Sequence, residues 1–132
     1  MARVVKQSVT LPATAKALYS MYLDPGQHAA ITGGKAVINA KPGSKFKAFG
    51  GALTGTMLQT IPGSLIVQAW RSSPFRKSDP DSTLVLRFTP VGRNEGRIDL
   101  VHVNVPDHDY EDVSKGWKEY YWKPWRKYLA SR

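Results

Sequence analysis

The fold of this chain is decided by the stretch YEDVSKGWKEYYWKPWRKY, residues 110–128. This stretch holds seven of the 14 aromatic side chains in the sequence. At about 100° per residue, its apolar side chains form one broad stripe and its basic side chains take the opposite arc. The stripe consists of Tyr110, Val113, Trp117, Tyr120, Tyr121, Pro124 and Tyr128. We therefore predict a long terminal helix that packs on a large apolar surface.

The ends and the interior of this predicted helix carry recognisable signals. Asp107 and Asp109 are candidates for the N-cap, because a carboxylate can accept the unpaired backbone N–H groups of a first turn. Glu111 and Asp112 add negative charge where the helix dipole favours it. Pro124 lies inside the helix and removes one backbone hydrogen bond, so we expect a bend there.

The N-terminal third of the sequence predicts one strand and two short helices. Residues 3–11 alternate between apolar and polar side chains, which indicates a strand. Residues 13–23 have an apolar stripe at helical spacing, and the sequence Asp24-Pro25-Gly26 ends that helix. Residues 27–31 are long enough for one further helical turn before Gly33 and Gly34.

The middle of the chain predicts a series of short strands separated by Pro-Gly and Gly turns. These strands cover residues 35–40, 45–49, 53–60, 65–71, 83–89 and 97–105. No helix lies between them, so the strands are expected to pair antiparallel. The order predicts an α+β fold, in which a curved antiparallel sheet of about six to seven strands wraps around the long C-terminal helix, with two short helices after the first strand. We expect residues 1–132 to form a single domain.

Composition narrows the class of protein. The sequence is 42% hydrophobic and has no cysteine, so neither a disulfide framework nor a thiolate site is available. The apolar runs are far shorter than the roughly 20 residues that a membrane span requires. The first residues alternate and lack the apolar core of a signal peptide. We therefore expect a cytoplasmic protein without a membrane span.

The net charge of +9 raises the question of an anionic partner. The basic residues are scattered from Arg3 to Arg132, and their densest group is on the outer face of the terminal helix. Aromatic rings and charges take opposite faces there, which does not suit the stacking of single-stranded bases. We predict a solvated basic face and no specific nucleic-acid site, and keep an acidic protein as an alternative partner.

Several local strings, in this order, resemble the START-like (SRPBCC, helix-grip) superfamily with its START/Bet v-like fold. Within it they are most similar to the family of homologues of the activator of the heat-shock-protein-90 ATPase. The strings are Leu23-Asp24-Pro25, residues 46–51 with Gly55, residues 66–71, residues 102–106, and Gly116-Trp117 followed by residues 121–125. The resemblance implies a stand-alone START-like domain, with a hydrophobic ligand or lipid held between sheet and helix. In the eukaryotic co-chaperone a separate N-terminal domain makes much of the chaperone contact, and we expect no room for it here.

The predicted ligand cavity lies between the concave face of the sheet and the terminal helix. Alternation along the strands assigns its walls, and the stripe of the helix assigns its lid. The walls are Phe46, Met57, Val67, Leu86, Phe88, Leu100 and His102, and the lid is Trp117, Tyr120 and Tyr121. Trp70 joins them only if a bulge intervenes, because it has the opposite parity to Val67. The tyrosine hydroxyls and His102 are candidate polar anchors in an otherwise apolar pocket.

The sequence offers little for catalysis. It contains no nucleophile elbow, no dinucleotide-binding loop and no complete phosphate loop. The histidines are His28, His102 and His108, with no pair at a helical ligand spacing, so we expect no metal and no cofactor. His102 is the titratable group that stands out, either as a neutral structural histidine or as a proton carrier. We expect no catalytic residue.

Three functions follow from these observations. The first is a noncatalytic domain that binds a small hydrophobic or amphipathic molecule. The second is a co-chaperone-like module that contacts a chaperone or another acidic protein through its basic surface. The third is a small enzyme of the cyclase or hydrolase type that uses the same cavity, for which His102 or a tyrosine would have to be catalytic.

Overall fold

The computed structural model describes residues 2–132 and has the predicted α+β architecture, with a curved antiparallel sheet around a long C-terminal helix. The strands are β1 Ala2–Leu11, β2 Lys45–Ala48, β3 Leu53–Ile61, β4 Leu65–Ser72, β5 Ser82–Gly92 and β6 Glu95–Pro106. The two short helices are α1 Ala15–Leu23 and α2 Pro25–Thr32. The C-terminal helix consists of α3 Tyr110–Gly116, a π-helical turn Trp117–Trp122 and α4 Lys123–Ala130. Together these three pieces are called the terminal helix below.

The sheet has six strands in the order β1-β6-β5-β4-β3-β2, and every neighbouring pair is antiparallel. Residues 35–40 were predicted as a strand, but they make only an isolated bridge between Val37 and Lys47. Ala36 and Ile38 are nevertheless buried. This segment is therefore an apolar arm beside β2, and the sheet has the lower of the predicted strand numbers.

The short helices differ from their predicted bounds by one or two residues, since α1 begins at Ala15 and α2 already includes Pro25 and Gly26. Their ends have local causes. The Thr14 hydroxyl accepts a hydrogen bond of 3.1 Å from the Ala17 N–H and caps α1. The Asp24 carboxylate accepts from the N–H of Gly26 at 2.8 Å and so caps α2, whose first residue is a proline. Gly33 ends α2 with φ of 81°, a left-handed conformation that favours glycine.

The concave face of the sheet is buried against the helices, and register decides which side chains form it. Ile66 pairs with Leu86 in the ladder between β4 and β5, so Ile66 and Trp70 share the concave face. Val67 pairs with Val85 on the opposite face and is half-buried. The predicted parity of β4 was therefore wrong, because apolar side chains occur on both faces of this strand and alternation alone cannot distinguish the faces.

The terminal helix packs on this face through residues spaced four apart. Val113, Trp117, Tyr121 and Trp125 are all buried. In an α-helix of 3.6 residues per turn, a spacing of four would drift around the surface. The π-helical turn compensates for this drift, because the N–H of Lys123 bonds five residues back instead of four.

The same π-helical turn changes which rings face the sheet. Trp122 is buried, although the α-helical stripe omitted it, and Tyr120 is 61% exposed, although the stripe included it. The turn ends just before Pro124, which lacks the N–H that a regular helix would need there. The backbone irregularity is thus a change of helix type beside the proline, and the predicted bend remains an expectation.

Gly55 in β3 is required by close packing. A Cβ at this position would overlap the carbonyl oxygen of Ala69 on β4 and the ring of Phe46 on β2. The ring of Phe46 takes the place that a side chain on β3 would otherwise fill. This contact explains why Phe46 is buried at the edge of the sheet.

Candidate functional site

A cavity of about 320 Å³ lies between the terminal helix and the end of the sheet formed by β3 and β4. The sheet side contributes Leu53, Trp70 and Ser72, and the connections beside it contribute Phe49, Ala52, Ser73 and Pro74. The volume is at the lower end of the range for small-molecule sites, roughly 300–1,000 Å³. The wall is mostly apolar and aromatic, as in most such sites.

One face of the terminal helix supplies the opposite wall. The lining positions from the helix and the turn before it are 109, 112, 113, 116, 117, 120 and 121, which follow the i, i+3, i+4 spacing of a single helix face. Gly116 is in the middle of this face. A Cβ added there would meet only the Tyr120 ring, at an ordinary distance of 3.6 Å. The absence of a side chain at Gly116 therefore adds volume to the cavity, although the backbone conformation there does not require a glycine.

Four of the predicted cavity residues line this cavity, namely Trp70, Trp117, Tyr120 and Tyr121. The other predicted residues on the concave face are buried in the core and do not line the cavity: Phe46, Met57, Leu86, Phe88, Leu100 and His102. Val67 lies on the opposite face of the sheet.

The short helices explain why fewer of the predicted residues line the cavity. The ring of Tyr19 in α1 meets that of Phe88 edge to face at 5.7 Å. Leu18 is fully buried in the same cluster. The two helices thus fill the part of the concave face that belongs to β5 and β6, and only the end next to β4 stays open.

His102 is held in one protonation state by its hydrogen bonds. The indole Nε1–H of Trp117 can only donate, and it donates to His102 Nδ1 at 3.1 Å. The other ring nitrogen, Nε2, therefore carries the proton and donates to the Ser82 hydroxyl at 2.8 Å. That hydroxyl in turn donates to the Trp70 carbonyl oxygen at 2.8 Å. Burial lowers the pKa of His102 to about 3, so the imidazole is neutral and orients Trp117.

A second buried histidine engages the hydroxyl of Tyr121. His28 Nδ1 donates to the Tyr22 carbonyl oxygen at 2.7 Å, which leaves Nε2 as the acceptor for the Tyr121 hydroxyl at 2.8 Å. The Tyr22 hydroxyl donates to Gln68 Oε1 at 3.0 Å. Burial lowers the pKa of His28 and raises that of Tyr121. The Tyr121 hydroxyl and His102 are thus both occupied by protein groups, contrary to their expected role as ligand anchors.

The polar end of the cavity is formed by residues that the sequence patterns did not single out as a site. Asp109 and Asp112 reach the wall from the start of the terminal helix. Asp109 is only 3% exposed, and its Oδ2 accepts a hydrogen bond of 3.0 Å from the Ser72 hydroxyl. Burial raises the pKa of Asp109, and the charge of Asp112 acts in the same direction. The i, i+4 spacing from Asp109 through Val113 to Trp117 could have indicated that Asp109 shares the helix face that lines the cavity.

A metal-binding cluster and a membrane-spanning helix are both absent from the part of the chain that the structure describes. No group of three or more His, Cys, Asp or Glu side chains in residues 2–132 could hold a metal ion. None of the helices in these residues is long and apolar enough to cross a bilayer.

Comparison with known proteins gives one sequence relative and many related structures. No protein-family model matches the chain. The chain is 27% identical over 100 residues to the activator of 90 kDa heat shock protein ATPase homolog of Dictyostelium discoideum. This match covers 76% of the chain and 26% of the relative. The chain therefore spans about a quarter of the length of the curated relative that it matches.

Solved structures establish the fold. An HSP90 activator from Plasmodium falciparum superimposes with a TM-score of 0.87 at 21% identity, over 96% of both chains. Protein MLL2253 from Mesorhizobium loti superimposes with a TM-score of 0.83 at 15% identity, over 98% of both chains. Together with the sequence relative and the observed architecture, these matches agree with the family resemblance of the sequence strings. The chain therefore has the helix-grip fold of these structures and is similar in sequence to the activator of 90 kDa heat shock protein ATPase homolog.

Proposed function

We propose that residues 1–132 form a single, noncatalytic START-like domain that binds a small, largely apolar molecule between the terminal helix and β4. The observation that carries the proposal is the open cavity of about 320 Å³ in an interface that is otherwise filled by side chains. An interior usually packs closely and leaves few voids larger than a water molecule. A cavity lined by aromatic rings is therefore a site for an apolar partner.

The state of the titratable groups supports binding without catalysis. A general base needs a free lone pair within reach of the substrate. The acceptor nitrogen of His102 is occupied by Trp117, and that of His28 is occupied by Tyr121. Cytoplasmic location is part of the same proposal and is supported by the absence of cysteine.

The experiment fills the cavity and measures binding of a neutral probe, N-phenyl-1-naphthylamine. Gly116→Leu places a branched side chain beside the Tyr120 ring, where a Cβ has room. Lys115→Leu adds the same side chain on the exposed face of the helix and is the matched control. We expect Gly116→Leu to lose probe binding at least about tenfold, because the apolar volume is taken. Lys115→Leu should bind like the wild type.

Two readouts separate a lost cavity from a lost fold. Energy transfer from tryptophan to the probe reports binding, since Trp70 and Trp117 line the cavity. Thermal unfolding of each variant shows whether the domain is still intact. Unchanged binding by a folded Gly116→Leu variant would place the probe elsewhere and refute the proposal. Independently, native mass spectrometry of the protein purified from its own host would identify a co-purifying ligand by its mass.

A second function, contact with a chaperone, is favoured by the named relative and by the outer face of the terminal helix. Lys118, Lys123, Arg126 and Lys127 are exposed on that face. Glu119 pairs with Lys123 at 2.9 Å, so most of the positive charge there remains uncompensated. Binding of the purified 90 kDa heat shock protein should weaken at high salt, because ions screen such a contact. Binding that is absent at low salt would remove this second function.

A further inference from the structure

The charge of the cavity differs from the charge of the protein. The chain has a net charge of +9. The cavity wall nevertheless contains Asp109 and Asp112 and, among the described residues, no Lys, Arg or His. The two carboxylates are three residues apart at the start of the terminal helix, so both can project toward the same side. An anionic ligand would therefore meet negative charge in this cavity despite the basic surface around it.

Asp109 is a buried carboxylate with few partners. A carboxylate offers about four acceptor positions, and the Ser72 hydroxyl is the one donor it has among the described residues. Asp109 is at the N-cap position of α3, yet its side chain makes no capping hydrogen bond. Neither Asp109 nor Asp112 forms an ion pair within residues 2–132. Asp112 is exposed, whereas Asp109 is buried, and burying a charged carboxylate is costly unless a positive charge compensates it.

The apolar part of the wall also suits a cation. The rings of Trp70, Trp117, Tyr120 and Tyr121 line the same cavity. Aromatic faces attract ammonium groups through the ring quadrupole, and tryptophan does so best. The Nε1–H of Trp70 is buried and has no acceptor among the described residues. It could therefore also donate to a hydroxyl or carbonyl oxygen on a ligand.

We propose that the cavity selects organic cations, with the ammonium group of an amphipathic amine or quaternary amine held by Asp109 and Asp112 and its apolar body against the rings. This inference rests on the proposed function, since it names the ligand class for the same cavity. It excludes fatty acids and phosphate esters as preferred ligands, because their negative charge would lie beside the two carboxylates.

A matched pair of probes tests the charge alone. Benzyltrimethylammonium and neopentylbenzene have the same shape, with nitrogen in one and carbon in the other at the branched centre. Displacement of N-phenyl-1-naphthylamine gives the affinity of each. We expect the cation to bind about tenfold or more tightly than its neutral isostere, as for other interactions with a charged group. Phenylacetate should bind more weakly than either.

Three variants identify the groups responsible. Asp109→Asn and Asp112→Asn remove one charge each from the cavity with little change in shape. Glu111→Gln removes the same charge from a position in the same helical turn that does not line the cavity. We expect each aspartate variant to lose most of the preference for the cation while its affinity for neopentylbenzene stays the same. Glu111→Gln should keep the preference.

The outcomes distinguish this inference from the proposed function. Equal affinities for the cation and its isostere, or a preference that survives both aspartate variants, would overturn the selectivity for cations. If the isostere still binds the wild type and not Gly116→Leu, the proposed apolar site is supported and only the selectivity for cations fails. If neither probe binds, both proposals fail.

Discussion

His102 should make the stability of the fold fall as the pH is lowered. Adding a proton to Nδ1 would break the hydrogen bond from Trp117 and charge a fully buried ring. Burial therefore lowers the pKa of His102 to about 3 in the folded protein. In the unfolded chain the pKa has its ordinary value of about 6.5. Between these two values the unfolded state binds one more proton, so protonation favours unfolding.

The expected size follows from linkage. Integrating one proton between an unfolded pKa of about 6.5 and the folded value gives a loss of about 2 kcal/mol as the pH falls from about 7 to about 5. Stability from His102 is fully present above the unfolded pKa and is lost progressively below it. Urea unfolding at several pH values measures the total loss in the free energy of unfolding. His28 adds to this loss in the same direction, because its pKa is also lowered.

The contribution of His102 is isolated in two ways. The pH dependence of His102→Gln is subtracted from that of the wild type, which removes contributions common to both. Long-range ¹H–¹⁵N NMR of the folded wild type reads the ring directly and does not depend on a stable variant. It should show the proton on Nε2 and a bare Nδ1 that stays unprotonated down to about pH 5. A His102 that titrates near pH 6.5, or carries its proton on Nδ1, would refute the reasoning.

Further predictions concern packing and capping, each measured as the free energy of unfolding in urea. Gly55→Ala should destabilise by about 1–3 kcal/mol or more, because its Cβ overlaps the neighbouring strand, and a stability equal to the wild type would show that the strands separate easily. Tyr121→Phe should cost about 1–3 kcal/mol by leaving the acceptor nitrogen of His28 unpaired, and no change would mean that water replaces the hydroxyl. Thr14→Ala should cost about 1 kcal/mol through the lost N-cap, and the control Thr14→Ser should retain most of the stability.

The sequence predicted elements best where one local pattern had one structural solution. The strand at residues 3–11 and the helix ended by Asp24-Pro25-Gly26 were assigned from alternation, helical spacing and caps. The structure confirms both elements to within a few residues. The position of His102 on the concave face was also correct, since Ile98, Leu100 and His102 alternate regularly in β6 and all are buried.

Prediction failed where a residue pattern allowed two solutions. In β4 apolar side chains occur on both faces, so Val67 was assigned to the face that in fact belongs to Trp70. In the terminal helix an ideal α-helical period placed Tyr120 inside and omitted Trp122. The π-helical turn reverses that assignment, and it is a property of the packed helix that the 3.6-residue period does not contain.

The position of the cavity was also beyond the sequence. Alternation predicted a ligand wall along the whole concave face, but it cannot say which part of that face other elements cover. Helix α1 covers the part near Phe88 and leaves the part near Trp70 open. The start of the terminal helix lies over this open end, so the carboxylate of Asp109 reaches the cavity.

The order of strands and helices, the antiparallel pairing and the burial of an aromatic C-terminal helix can be predicted from the amino-acid sequence, because spacing and turn residues act over a few positions of the chain. The face of β4, the π-helical register of the terminal helix and the acidic, ring-lined cavity are set by the packing of the folded chain. These depend on contacts between residues far apart in sequence, such as Ser72 with Asp109, whose geometry no local pattern records.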